Sequence, residues 1–134
     1  MDQGEDGPGR YTRLVAEMAI PHRRTDAYWQ LLALGPVVVP VLHDGVSHSD
    51  AAVREGCVKL LDHFLTEETI PAIIAALDDE HPRVRLAAVH SLACDRCKKD
   101  ACCPNDPDVL PLAIRLVTSD PDKHVRAMAG ALLE

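Results

Sequence analysis

The stretch IPAIIAALDDEHPRVRLAAVHSL, residues 70–92, decides the fold. It opens on a short, nearly all-apolar run from Ile70 to Leu77, with Pro71 in the first turn, where a helix tolerates proline. The polar run Asp78-Asp79-Glu80-His81-Pro82 ends that helix. A second helix is expected from Val84 to Leu92, with Val84, Ala88 and Leu92 at helical spacing on one face.

The same device recurs on both sides. A hydrophobic-Pro pair opens three units: Val39-Pro40, Ile70-Pro71 and Leu110-Pro111. A Val-Arg pair opens each second helix: Val53-Arg54, Val84-Arg85 and Val125-Arg126. From the first unit to the second both landmarks advance by 31 residues (70 − 39 and 84 − 53). From the second to the third they advance by 40 and 41 (110 − 70 and 125 − 84). The additional residues fall between Ala93 and Asp108. The apolar stripe Val84, Ala88, Leu92 is matched by Val53, Cys57, Leu60 and Leu61 in the first unit, and by Val125, Ala129 and Leu132 in the third.

Helix pairs of this length stacked side by side make an α-solenoid. The helix-opening prolines and the Val-Arg-x-x-Ala/Cys-x-x-x-Leu second helices resemble HEAT repeats over about residues 35–134, and look most like short bacterial HEAT-like repeats, including those of bilin lyases. The resemblance implies an all-α chain: a short right-handed α-solenoid of about three HEAT-like helix pairs behind an N-terminal helical cap. The expected organisation is a disordered tail over 1–10, a cap over 11–34, repeat 1 over 35–66, repeat 2 over 67–97, a cysteine-bearing insertion over 98–107 and repeat 3 over 108–134. Within the cap, Tyr11 to Ala19 reads as a helix stopped by Pro21. Thr25 or Asp26 would cap a second helix ending at Gly35.

Composition narrows the function. The chain has 134 residues and is 47% hydrophobic, which suits one domain with a real core. Its aromatics are Tyr11, Tyr28, Trp29 and Phe64, so Leu, Val, Ile and Ala must fill that core. A net charge of −7 and few stacking rings argue against a nucleic-acid binder. The acidic, Gly-rich start lacks the features of a signal peptide, and no apolar run reads as a membrane span. The chain reads as cytoplasmic, with no membrane partner. Cysteines in a reducing compartment serve as ligands, reactive thiols or core residues more often than as disulfides.

Four of the five cysteines lie in HSLACDRCKKDACCP, residues 90–104. His90, Cys94 and Cys97 follow at i, i+4 and i+7, on one helical face. The chain then turns and returns with Cys102, so Cys94, Cys97 and Cys102 have a spacing that suits zinc. The fourth ligand is open between His90, one turn back, and His63. Residue 63 plus 31 is 94, which stacks His63 beside Cys94 one helix layer away. Cys103 is a less suitable ligand beside Cys102. Four protein ligands would make the zinc structural, clamping the insertion. Reduced, metal-free thiols, a redox pair and an iron–sulfur cluster are the competing readings; the cluster would need Cys103. The segment also resembles one in a group of bacterial HEAT-repeat proteins, with the pattern His-x-Leu-x-Cys-Asp-Arg-Cys-Lys-x-x-x-Cys. That pattern falls here on His90, Leu92, Cys94, Asp95, Arg96, Cys97, Lys98 and Cys102; Leu61-Asp62-His63 resembles the same group. It implies a shared device at this spot, without naming a metal.

Cys57 is expected in the core. Arg54, Arg85 and Arg126 share one repeat position and are expected to pair with acids of neighbouring repeats, from among Asp44, Asp78, Asp79 and Asp120. Trp29 is expected to pack the cap onto the first unit. No nucleophile–base pair, phosphate loop or paired carboxylates stand out, so no catalytic residue is assigned. The expected function is a protein-interaction scaffold, its partner offering a basic patch to this acidic chain, as a monomer or as a dimer through the C-terminal flank. The alternatives are a thiol-dependent or chromophore-handling, lyase-like accessory protein using Cys103 or the CxxC, and a nucleic-acid-binding HEAT-like protein.

Overall fold

The computed structural model describes residues 8–93 and 109–130, which form eight α-helices, one 3-10 helix and no strands. The helices are α1 (Pro8–Glu17), α2 (Pro21–Leu34), α3 (Val39–Gly45), α4 (Ala51–His63), α5 (Ile70–Ala76), α6 (Pro82–Ala93), α7 (Val109–Ser119) and α8 (Lys123–Ala129); the 3-10 helix, Gly35–Val38, leads into α3. Each unit is the expected antiparallel pair, α3–α4, α5–α6 and α7–α8, opened by its hydrophobic-Pro landmark. The second helices α2, α4, α6 and α8 stack in a row and the first helices line the other side. This is an all-α solenoid.

Second helices start where a side chain accepts the first free amides. The Asp50 carboxylate accepts from Ala52 N (2.8 Å) and Val53 N (3.2 Å). Asp122 accepts from His124 N (2.8 Å) and Val125 N (3.1 Å), and these bonds hold its carboxyl below the usual carboxylate range. In α6 the same place is held by His81, whose Nδ1 accepts from Arg83 N at 3.2 Å. From these caps the expected stripes run inward: Val53, Cys57, Leu60, Leu61, Val84, Ala88, Leu92, Val125 and Ala129 are all buried. Leu132 lies outside the described residues. Leu31, Leu42, Ile73, Leu77 and Leu116 complete a core of aliphatic residues.

Small residues set the closest approaches. Gly45 in α3 sits against Cys57, and Gly56 in α4 faces Met18, whose Sδ would lie 2.7 Å from a Cβ there. Gly35, at φ 85°, ends α2 in a conformation that favours glycine. The 25 residues from Pro21 to Gly45 match a membrane span by length and composition. They are broken at Gly35, and Ala27, Leu31, Val38 and Leu42 of this stretch enter the core.

The cap differs from its sequence reading. α1 begins at Pro8, ahead of Tyr11. Pro21 opens α2 instead of stopping α1, because proline lacks only an amide that the first turn leaves unbonded anyway. Thr25 and Asp26 therefore lie inside α2, where Asp26 accepts from Gln30 at 2.7 Å. Trp29 does not pack the cap: it is 59% exposed and makes an edge contact with Tyr28, ring centroids 5.4 Å apart. The inward positions of α2 are taken by Ala27 and Leu31.

Candidate functional site

Arg54 and Arg85 tie the units together in the pattern expected of them, whereas Arg126 meets only the Asp120 carbonyl of its own unit among the described residues. Arg54 donates from Nε and Nη2 to both carboxylate oxygens of Asp79, at 2.9 and 3.1 Å, and from Nη1 to the carbonyls of His48 and Ser49. Arg85 repeats the arrangement on Asp120, at 2.6 and 2.9 Å, with Nη1 on the Asp79 carbonyl. Forked pairing of this kind satisfies a guanidinium taken out of water. Of the four candidate acids Asp79 and Asp120 are used. Asp78 pairs instead with Arg115, and Asp44 is exposed.

The ladder has a further member that its sequence disguises. Arg24 donates from Nε to the Met18 carbonyl at 2.7 Å, six residues back; Arg54, Arg85 and Arg126 reach the carbonyls of His48, Asp79 and Asp120 at the same spacing, from Nη1. The cap is thus a degenerate unit of the same kind. Met18, His48, Asp79 and Asp120 share one turn position, and two of the four are acids. At His48 the side chain still accepts an amide two residues on, Asp50 N at 3.0 Å, as Asp79 and Asp120 do. It offers Arg24 no carboxylate, and the rung between α2 and α4 is missing.

Two adjoining cavities run along the row of second helices. One, about 560 Å³, is floored by Met18, Ala51, Ala52 and Gly56 and walled by Tyr28 and Trp29. The other, about 720 Å³, is lined by Asp62, His63, Leu86, Ala87, His90 and Met128. They share Tyr28, Glu55, Lys59 and Arg83, so they form one groove across α2, α4, α6 and α8. At its middle Glu55 accepts from Arg83 Nε at 3.1 Å and from Lys59 Nζ at 2.9 Å. Burial works to raise the Glu55 carboxyl, but the Arg83 and Lys59 hydrogen bonds outweigh it and hold the group low. Tyr28 is pushed up by burial and by the nearby Asp62 charge. The groove does not share the chain's acidity: Arg24, Lys59 and Arg83 stand there against Glu55 and Asp62.

Both candidate histidine ligands reach this groove. His63 ends α4 and His90 lies in the last turn of α6; both are exposed and line the same cavity. Neither makes a hydrogen bond to another of the described residues. Cys94, Cys97, Cys102 and Cys103 lie outside the described residues, which by themselves hold no group of three metal-ligating side chains. Cys57 is buried, and burial pushes its thiol up to about 12, leaving it inert at neutral pH. Sequence reasoning missed the groove, because the Tyr28–Trp29 wall and the Lys59–Glu55–Arg83 centre come together only when the units stack. It also missed Arg24, which stands 30 residues before Arg54 (54 − 24), one unit length within a residue.

A search of curated proteins and one of solved structures returned no match. The family model of HEAT repeats matches residues 39–134, from the first residue of α3 onward, and the chain belongs to the HEAT-repeat family.

Proposed function

We propose that the protein is an interaction module that holds a partner polypeptide in the groove along α2, α4, α6 and α8, next to a structural zinc clamp. HEAT repeats generally serve as protein-interaction scaffolds. The observation that carries the reading is Trp29: an indole 59% exposed, against Tyr28, on the wall of an otherwise apolar-floored cavity. Trp, Tyr and Arg are the residues that most often dominate binding energy, and Arg24 and Arg83 line the same cavity. The groove charges favour a neutral or acidic segment over the basic surface that net charge suggests. The clamp would use Cys94, Cys97 and Cys102 with His63 or His90, and the support for it is that both histidines line one cavity where α6 leads into the cysteine segment. Four such ligands would close the coordination sphere and fix the insertion beside the groove.

Elemental mass spectrometry of the untagged protein tests the clamp, with a Cys94→Ser, Cys97→Ser double variant as control. About one zinc per chain, absent from the variant, is expected; wild type without metal and with freely titrating thiols would move the reactive-thiol reading up. A photo-crosslinking amino acid in place of Trp29 tests the groove in cells of the source organism. One recurrent protein adduct, abolished by Arg83→Glu, is expected; adducts to nucleic acid would point to the other class of partner.

A further inference from the structure

With the groove read as a polypeptide site, on which this rests, we propose that its cavity of about 720 Å³ receives a tyrosine side chain of the partner, and that Ser91 is the hydrogen-bonding partner of the phenol. The repeat breaks at this residue. Leu60 and Ser91 stand 31 residues apart, the repeat length, and Leu132 is 41 further on, as Val125 is from Val84. Leucine thus holds this place in the first and third units and serine in the second. Leu60 is fully buried in the core. Ser91 is 1% exposed and lies in the cavity wall. Its hydroxyl makes no hydrogen bond to another of the described residues, whereas Thr118 in α7 turns its own back onto the Ile114 carbonyl at 2.8 Å. A buried hydroxyl without a partner is unfavourable, and the fold gives no reason to set one where leucine fits. What the place gains is a shorter side chain, and with it space, and a group that can donate and accept beside the cavity.

The chemistry of the occupant follows from the walls. Leu86, Ala87 and Met128 are apolar, and the Met128 sulfur suits an aromatic ring. The charges of Lys59 and Arg83 are met by Glu55, so the cavity favours a neutral group. An aliphatic side chain would leave Ser91 without a partner. A carboxylate or ammonium would leave water for a single neutral hydroxyl. An asparagine amide carries more donors and acceptors than one serine satisfies. A phenol brings a large ring to the walls and one hydroxyl that donates or accepts, whichever way Ser91 turns.

The full chain is titrated with N-acetyltyrosinamide and with N-acetylphenylalaninamide and followed by NMR. The tyrosine amide is expected to shift the Ala87, Ser91 and Met128 signals and to bind roughly tenfold tighter than the phenylalanine amide. Ser91→Ala should bring the two affinities within about twofold of each other. Ser91→Leu should abolish binding and raise the melting temperature by roughly 3 °C or more, because it restores what Leu60 does in α4. Equal affinities in the wild type, no binding, or a lower melting temperature of Ser91→Leu would overturn the proposal. So would a Trp29 photo-adduct that forms equally well in Ser91→Leu, although the groove would then keep its partner. No Trp29 adduct, with the tyrosine amide still held through Ser91, would instead sink the groove reading and leave the phenol pocket standing.

Discussion

Arg85 and Asp120 stand 35 residues apart in sequence and meet in a two-pronged bond of 2.6 and 2.9 Å, their side chains only 10% and 3% exposed. One lies before the cysteine-bearing insertion and the other after it, so this pair fixes the third unit on the second whatever the insertion does. Removing one partner leaves the other charged and buried. Asp120→Ala is expected to cost about 3 kcal/mol in denaturant unfolding, whereas replacing both, Arg85→Met with Asp120→Leu, should cost far less. Equal costs for the single and double variants would show that the pair itself is not what those residues supply.

The Glu55 carboxyl is the acid-sensitive element of the groove. Its folded pKa lies below the ordinary 4.5, so it adds stability above that pH and loses it as the pH falls through the depressed value. Wild type should therefore lose stability below about pH 4.5 that Glu55→Gln does not lose. The difference should stay under about 1 kcal/mol, because Lys59 and Arg83 are 50% and 69% exposed. Parallel stability curves between pH 3 and 6 would contradict it.

His48 marks the missing rung. His48→Asp should keep the amide bond from Asp50 and give Arg24 a carboxylate, raising stability by about 1 kcal/mol. The gain should vanish in an Arg24→Gln background. A gain that survives there would come from somewhere other than the ladder.

Cys57 reports on opening of the core between α3 and α4. With its thiol pushed up to about 12 and no exposure, it should resist maleimide at neutral pH until the protein unfolds. Gly45→Ala would drive a methyl group into its Sγ, costing about 1–3 kcal/mol and hastening Cys57 labelling. Unchanged labelling would mean that the added methyl group is accommodated without opening the core there.

The sequence by itself determined the units. Prolines at 40, 71 and 111, the Val-Arg pairs and the four-residue stripes are local signals, because helix periodicity and capping act within a few residues of chain. The choice between acids was not local: Asp44, Asp78, Asp79 and Asp120 are alike on paper, and only the stacking of units selects Asp79 and Asp120. Pro21 was misread for the converse reason, since the same residue ends one helix and begins the next, and the packed position of α2 decides which. Trp29 was expected to pack the cap onto the first unit, but the inward places of α2 belong to Ala27 and Leu31, which leaves the indole on the groove. The joint approach of His63 and His90 to one cavity likewise came from tertiary structure, because it depends on the distance between helices that no spacing along one helix sets.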